Sequence, residues 1–517
     1  MSEKTLVIAE KPSVASDIAK ALGGMSREKD YFEGDHYVVS SAVGHLLELA
    51  VPEKYDVKRG KWTFAHLPML PPTFDLKPIK KTEDKLKSLK RLLKRSDITA
   101  VINACDAGRE GELIFRYIMQ ASKCKKPISR LWLQSMTPAA IREAFEHLRT
   151  DAQMQNLADA ARSRSEADWL VGINGTRAMT AFNSKDGGFF LTTVGRVQTP
   201  TLAIVVEREE AIRNFVSQKY WEVHTDIHAR QGHYEAIWFD PLFKKDEDNP
   251  HKKAERIWEQ KKAQQICDKI NQQFGTVEES AKRTTQLSPL LFDLTSLQRE
   301  ANNRFGFSAK TTLSIAQSLY EKHKALTYPR TDARALPEDY LSTVHATMQM
   351  LQENNRYVKN VEDIFKHHWI KPTKRIFDNS KISDHFAIIP TLQAPKKLSE
   401  VEEKIYDLVV KRFLAVFYPA AEYDVTTRIT TIQGEKLKTE GKVLVNPGWL
   451  AVYGRETAQD DTMPAIEKAE KVQAISAQAQ EKATKAPPRY TEATLLSAME
   501  GAGKLVEESE LREAMKG

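Results

Sequence analysis

Cysteine is nearly absent from this chain: Cys105, Cys124 and Cys267 are the only three in 517 residues. Odd in number and far apart, they support neither a disulfide framework nor a cysteine-based zinc site, and a reducing cytoplasm is the expected setting. No run approaches the roughly 18 apolar residues that a membrane span requires. The start, Ser2-Glu3-Lys4 followed directly by a short apolar stretch, lacks the basic–apolar–small order of a secretory signal. A nucleotide-binding phosphate loop is missing too. Gly501-Ala502-Gly503-Lys504 resembles the tail of one, without the first glycine at the right spacing or the Ser or Thr after the lysine. Nor does one sign of charge dominate. Lys and Arg number 77 against 70 Asp and Glu, and the net +7 permits a polyanionic partner without proving one.

What is present is enough apolar material, 41% of residues, for several packed cores, and the length points to roughly three or four domains. Leu6-Val7-Ile8-Ala9 reads as a buried strand broken by Glu10-Lys11-Pro12-Ser13. A helix from about Val14 to Leu22 follows, closed by Gly23-Gly24. Ala100 to Ala104 reads as a second strand, ending at Asp106-Ala107-Gly108-Arg109-Glu110-Gly111-Glu112 before another helix. Functional groups in open α/β sheets collect at the carboxyl ends of strands, so Glu10, Asp106 and Glu110 are expected at one sheet edge. Carboxylates gathered there repel one another, and a hydrated magnesium ion relieves the repulsion. Lys11 beside them suits a phosphate contact or proton donation. The bland alternative makes Glu10 and Lys11 a helix-entry pair and Glu110 a favourable charge in a first helical turn.

In Leu326-Thr327-Tyr328-Pro329-Arg330-Thr331-Asp332, Pro329 pushes Tyr328 out of helical geometry, as suits a phenol presented from a loop. A tyrosine hydroxyl, with a pKa of about 10, attacks phosphorus only where cations stabilise the phenolate, and Arg330 and Arg334 flank it. The alternative is a half-buried tyrosine at a turn, with Arg330 paired to Asp332. Helical periodicity dominates 155–182 and 293–321, the latter split at Phe305-Gly306-Phe307 with Ser308 as an N-cap. That split resembles a helix-turn-helix, but its second half offers few arginines or asparagines for base edges and leads straight to Tyr328. Strand-like alternation marks 220–240 and 422–445. Between Lys77 and Arg95, Leu86, Leu89 and Leu93 form an apolar stripe on an otherwise basic helix. The run Phe243 to Lys253, charged on both sides of a turn, reads as a solvated connector.

Four stretches, in this order, carry a family resemblance: Glu10 to Ser13 with Asp106 to Glu112; Thr193-Val194-Gly195-Arg196-Val197-Gln198-Thr199-Pro200; the Tyr328 run; and Ile382-Ser383-Asp384-His385-Phe386-Ala387-Ile388-Ile389-Pro390-Thr391. The first resembles the TOPRIM module, and the whole chain resembles the type IA DNA topoisomerases, their bacterial topoisomerase III branch in particular. The resemblance implies an α/β multidomain torus. A Rossmann-like TOPRIM domain would span 1–150, and a helical single-strand-groove domain 151–213 with 480–517. A β-rich hinge domain would take 214–287 with 421–479, and the tyrosine domain 288–420.

It also implies ATP-independent, magnesium-dependent cleavage and religation of single-stranded DNA through a 5′-phosphotyrosine, with strand passage that relaxes negative supercoils and unlinks catenated duplexes. On that reading Tyr328 is the nucleophile, Arg330 stabilises the phosphate, and Lys11 protonates the leaving 3′-oxygen. Glu10 assists religation, and His385 binds the scissile region. Glu10, Asp106 and Glu110 would hold Mg2+. Arg164, Asp168, Gly195, Arg196, Gln198 and Thr199 would line the single-strand groove, Asp168 orienting an arginine. A helicase and a single-strand-binding protein are the implied partners, in a nucleoid-associated cytoplasmic setting. His385 also reads as a surface histidine beside a helix-capping Asp384.

Two departures stand out. Many relatives carry Asp-x-Asp-x-Glu in the metal cluster, whereas the middle acid here is Gly108, with Glu112 as a compensating candidate. After Pro487 to Glu492, relatives run on past the position of Gly517, so a shortened family member is expected. Two rivals follow, a TOPRIM nuclease or primase and a truncated single-stranded-DNA-binding remnant.

Overall fold

The computed structural model describes residues 3–52, 61–134, 136–246, 249–382, 385–454, 463–467 and 469–502. Ser383 and Asp384, Glu247 and Asp248 in the charged connector, Gly503 and Lys504 of the loop-like tail, and Glu507 to Glu510 lie outside the described residues.

The first apolar run forms the strand Lys4–Ala9, and Ile98–Ala104 lies parallel beside it, pairing Ala9 with Ala104. On its other side runs Tyr37–Ser41, also parallel. Residues Leu6 to Ala9 are fully buried because both faces of this sheet are covered, which is why the strand reads as a continuous apolar run. Helix Pro12–Leu22 starts with proline at its first turn, and Arg109–Ser122 packs the opposite face with Leu113, Phe115 and Ile118 buried. Helix Glu83–Leu93 buries Leu86, Leu89 and Leu93, as its stripe predicts, with Lys87 exposed and Lys85 and Lys90 half-buried. The two central strands thus deliver Glu10 and Asp106 side by side at their carboxyl ends.

Helix Asp151–Asn183 follows, opened by a capping box of Thr150 and Gln153. Six antiparallel-paired strands then close a barrel in the order Lys219–Ala229, Gly232–Trp238, Glu435–Asn446, Ala421–Ile432, Phe274–Gln286 and Lys471–Ala483. Between its third and fourth strands in chain order lies the region that carries Tyr328. There the helices Leu294–Phe305 and Ala309–Glu321 are separated by Gly306 in the left-handed conformation (φ 68°), and Ser308 caps the second by accepting from the Thr311 N–H. These helices pack as scaffold around Phe292, Leu297, Ala316 and Leu319 rather than presenting a free face. The last described helix, Glu492–Glu500, docks on Leu294–Phe305, and Glu492 accepts from the Ala309 N–H at 2.5 Å.

Candidate active site

Tyr328 occupies irregular chain after an isolated bridge between Leu326 and Pro390. Thr327 stitches this segment to the one carrying His385: its hydroxyl donates to the Ala387 carbonyl at 3.0 Å and accepts from the Ile389 N–H at 2.9 Å. Thr331 adds a bond to the His385 carbonyl at 3.0 Å. The two loops therefore behave as one rigid ledge. That ledge leans on the first sheet, for the Tyr328 N–H donates to the Gln134 carbonyl at 3.3 Å and its ring packs in the same core as Val7, Ala9 and Ile102.

One cleft of about 910 Å3 is lined by Glu10, Lys11, Asp106, Glu110, Arg164, Tyr328, Arg330 and His385. The phenol, 7% exposed, lies between His385 at 4.3 Å and Tyr320 at 5.3 Å, ring centre to ring centre. Burial first, then the charges of Asp106 and Glu10, push its hydroxyl well above the usual tyrosine value, against Arg330, which pulls it down. The surroundings of Tyr328 thus favour the neutral phenol.

Burial and Asp106 hold the Glu10 carboxyl up at about 7, with Lys11 and His45 opposing. Its Oε2 is buried without a hydrogen-bond partner. An orphaned carboxylate oxygen beside a second acid is the environment a divalent cation satisfies, and magnesium takes one or two carboxylates with water for the rest, so Glu10 and Asp106 fit such an ion. Glu110 is turned aside: its carboxylate meets His45 Nε2 at 3.1 Å and is held below the usual range by that bond, with Arg164 and Arg330 behind it. No group of three His, Cys, Asp or Glu gathers at metal-holding distance among the described residues. The three expected carboxylates therefore line one cleft, with Glu110 engaged by His45 rather than gathered with Glu10 and Asp106 at metal-holding distance.

Glu112 does not compensate. It is 1% exposed, paired with Arg116 at 2.8 Å and Arg130 at 3.4 Å, and accepts from Asn103 Nδ2 at 2.9 Å. Gly111 is obligatory for packing, since a Cβ there would lie 2.0 Å from the Asp106 carbonyl oxygen.

Lys11 Nζ lies 2.6 Å from Glu321 and 3.3 Å from Asp106. Burial would push its ammonium down, but Asp106 and Glu321 outweigh it and hold it above the ordinary value. His385 is no surface residue. It is 3% exposed, stacks on Trp132 at 19° and bonds the Ala107 carbonyl through Nε2, while burial keeps it neutral with a pKa near 4. Arg330 stands exposed on the cleft wall, whereas Arg334, the other flanking arginine, pairs with Asp293 at 2.7 Å.

A second hollow of about 720 Å3 is lined by Asp168, Gly195, Val197, Gln198 and Leu202. Asp168 there accepts from Arg196 Nε, and Thr199 caps the turn by accepting from the Gly195 N–H at 3.0 Å. Arg164, one helical turn from Asp168, lines the Tyr328 cleft instead. Sequence reasoning missed Arg130, Trp132, His45, Tyr320 and Glu321. The Gly44-His45 pair beyond the strand Tyr37–Ser41 was the one local signal available.

The DNA topoisomerase family model matches residues 152–503 and the Toprim domain model residues 5–136. The chain belongs to the DNA topoisomerase family. Within it, it is a type IA, topoisomerase III-like member. It is 41% identical over 516 residues to DNA topoisomerase 3 of Bacillus cereus and 40% identical over 508 residues to that of Bacillus subtilis. These alignments cover 98% and 96% of this chain and 68% and 67% of the relatives, so the chain spans about two thirds of their length. The fold is that of full-length topoisomerase I from Thermotoga maritima, with a TM-score of 0.68 at 24% identity over 99% of this chain and 77% of that one.

Proposed function

We propose that this chain cleaves and rejoins single-stranded DNA by transesterification at Tyr328. The observation that carries the reading is one cleft holding the phenol, three arginines, a lysine and a pair of strand-end acids drawn from distant parts of the sequence. The Tyr328 oxygen attacks a backbone phosphorus and loses its proton. The 3′-oxygen leaves and takes up a proton, and the DNA 5′-phosphate stays on the tyrosine. One ester replaces another of similar energy, so no nucleotide hydrolysis is needed. Arg330, planar and permanently charged, suits the phosphorane oxygens. Glu10, held near 7 before a cation binds it, can give or take a proton at neutral pH. Lys11, held cationic, is better suited to the phosphate than to early proton donation. His385, neutral and wedged against Tyr328, fixes the phenol and borders the scissile region. Mg2+ at Glu10 and Asp106 would supply positive charge beside the break and lower the cost of the phenolate.

Arg164 would take a phosphate at the cleft, while Arg196, set by Asp168, and the turn Gly195–Thr199 with Gln198 would receive the adjoining single strand. With strand passage this chemistry relaxes negative supercoils and unlinks catenanes, alongside a helicase and a single-strand-binding protein in the bacterial cytoplasm. The four-part division of the chain stated above is the arrangement we propose for it. No helix among the described residues is long and apolar enough to cross a membrane.

Incubation with 5′- and 3′-labelled single-stranded oligonucleotides, quenched with detergent, tests the reading. The expected adduct carries the label of the fragment downstream of the break, requires magnesium, and disappears in Tyr328→Phe. Cleavage without a covalent adduct would instead favour a TOPRIM nuclease.

A further inference from the structure

Lys11 is shared between two parts of the molecule that meet at the cleft. Asp106, its 3.3 Å partner, sits at the end of the strand next to its own, so these two move together with one sheet. Glu321, its 2.6 Å partner, ends the helix Ala309–Glu321 on the tyrosine side of the boundary. That carboxylate is not a loose surface acid. Gln317, one turn earlier, donates to the same Oε1 at 2.6 Å. Lys11 lines the cleft, and Glu321 does not. Three residues beyond, Lys324 reaches Asp17 at 2.5 Å, a second ion pair across the same boundary and also outside the cleft lining.

We propose that Glu321 is a positioning residue that holds Lys11 while the cleft is free of DNA and yields it to a phosphate of the bound strand. This rests on the reading that Lys11 faces DNA. An ammonium has three donors, and two already serve carboxylates. A phosphodiester entering the cleft competes for them. The partner surrendered is the one on the opposite side of the boundary, because Asp106 travels with Lys11. Strand binding therefore removes one of the two ion pairs that, among the described residues, join the tyrosine-bearing region to the first sheet, while Lys324–Asp17 keeps the two sides in register. The cost of loosening the boundary is met by the incoming strand, so an empty cleft stays shut.

The experiment is fluorescence anisotropy of a labelled single-stranded oligonucleotide with Tyr328→Phe protein, magnesium chelated so that only binding is read. Glu321→Gln is expected to bind about twofold to fivefold tighter, the range of a partly exposed ion pair. The gain should vanish when Lys11→Met is added, and Asp17→Asn, which breaks the other bridge, should change affinity less than about twofold. A merely structural Glu321 would shift the melting temperature without a lysine-dependent gain in affinity. Should Glu321→Gln fold poorly, Gln317→Ala, which frees the carboxylate without removing it, is expected to tighten binding in the same direction by less. Unchanged or weaker binding in these variants, or equal tightening with and without Lys11, overturns the proposal. Failure of the Tyr328→Phe parent to bind the oligonucleotide at all would instead overturn the DNA-binding reading beneath it.

Discussion

Arg130 offers the sharpest test of how the acidic edge is built. Its side chain is 1% exposed, and its Nη1 donates to the carbonyls of Asn103 and Cys105 at 2.9 and 2.8 Å. Nη2 donates to the Asp106 carbonyl at 2.8 Å, and Nε lies 3.4 Å from the buried Glu112. One guanidinium thus satisfies the carbonyls where the strand Ile98–Ala104 ends and the acid-bearing loop begins. Arg130→Met keeps the volume and removes every donor, leaving the Cys105 and Asp106 carbonyls unpaired and the Glu112 charge with one arginine fewer. Breaking a buried charged network by removing one partner costs about 3–5 kcal/mol. Native-state hydrogen exchange of the amides in Ile98–Ala104 measures this locally and does not require the whole chain to unfold in one step. The double variant with Glu112→Gln should recover at least about 1 kcal/mol, because the carboxylate is no longer left charged inside. A loss under about 1 kcal/mol in Arg130→Met, or no recovery in the double variant, would show that the loop is held by something other than this guanidinium.

Three further outcomes follow from the same geometry. Gly111→Ala places a methyl group 2.0 Å from the Asp106 carbonyl, so the loop must shift, and covalent adduct yield should fall at least about tenfold even at high magnesium. Tyr328→Phe should leave the melting curve within about 0.5 kcal/mol of the parent, since the hydroxyl makes no bond to the scaffold that the ring packing does not replace, while adduct formation is abolished. Glu402, 9% exposed, is held down at about 2 by the Ser399 N–H and hydroxyl, with Ser318 and His323 adding to it. Its folded-state value lies below the unfolded one, so its contribution is complete above about pH 4.5 and is lost as pH falls toward 2, a total on the order of 2–3 kcal/mol. Urea titrations of parent and Glu402→Gln at pH 5 and pH 3 should converge as the solution is acidified; parallel curves would refute the assignment.

The parts legible from sequence are those whose information is local. Continuous apolar runs marked the central strands because both faces are covered, and their breaks marked where Glu10 and Asp106 would emerge. Pro329 marked Tyr328 as a loop residue, and Ser308 after Gly306 marked a helix restart. What was illegible is set by distant packing. Lys11 meets Glu321 across 310 positions, and His45 meets Glu110 across 65, so no window of sequence joins them. His385 could be read as surface or site, and burial against Trp132 decides between them only once the tyrosine ledge is docked. Arg164 and Asp168 share one helical face by spacing, yet the helix passes between two hollows and they serve different ones.

Gly108 turns a missing acid into a physical constraint. Sequence comparison by pattern alone treats it as a vacant ligand position, to be refilled by aspartate. The backbone disagrees: Gly108 has φ 144° and ψ 176°, a region that is essentially closed to side-chain-bearing residues. Space is not the obstacle, for a Cβ built there meets nothing within 4 Å. Gly108→Asp must either strain this residue, at about 1–3 kcal/mol, or rotate the turn that starts helix Arg109–Ser122. Rotation would carry Gly111 against the Asp106 carbonyl it already crowds. The expected result is a less stable chain whose adduct yield rises with magnesium as a single-site curve, like the parent's, and with no lower midpoint. A steeper or left-shifted magnesium curve in Gly108→Asp, with stability unchanged, would mean the loop accepts the acid and that this edge is built for two ions after all.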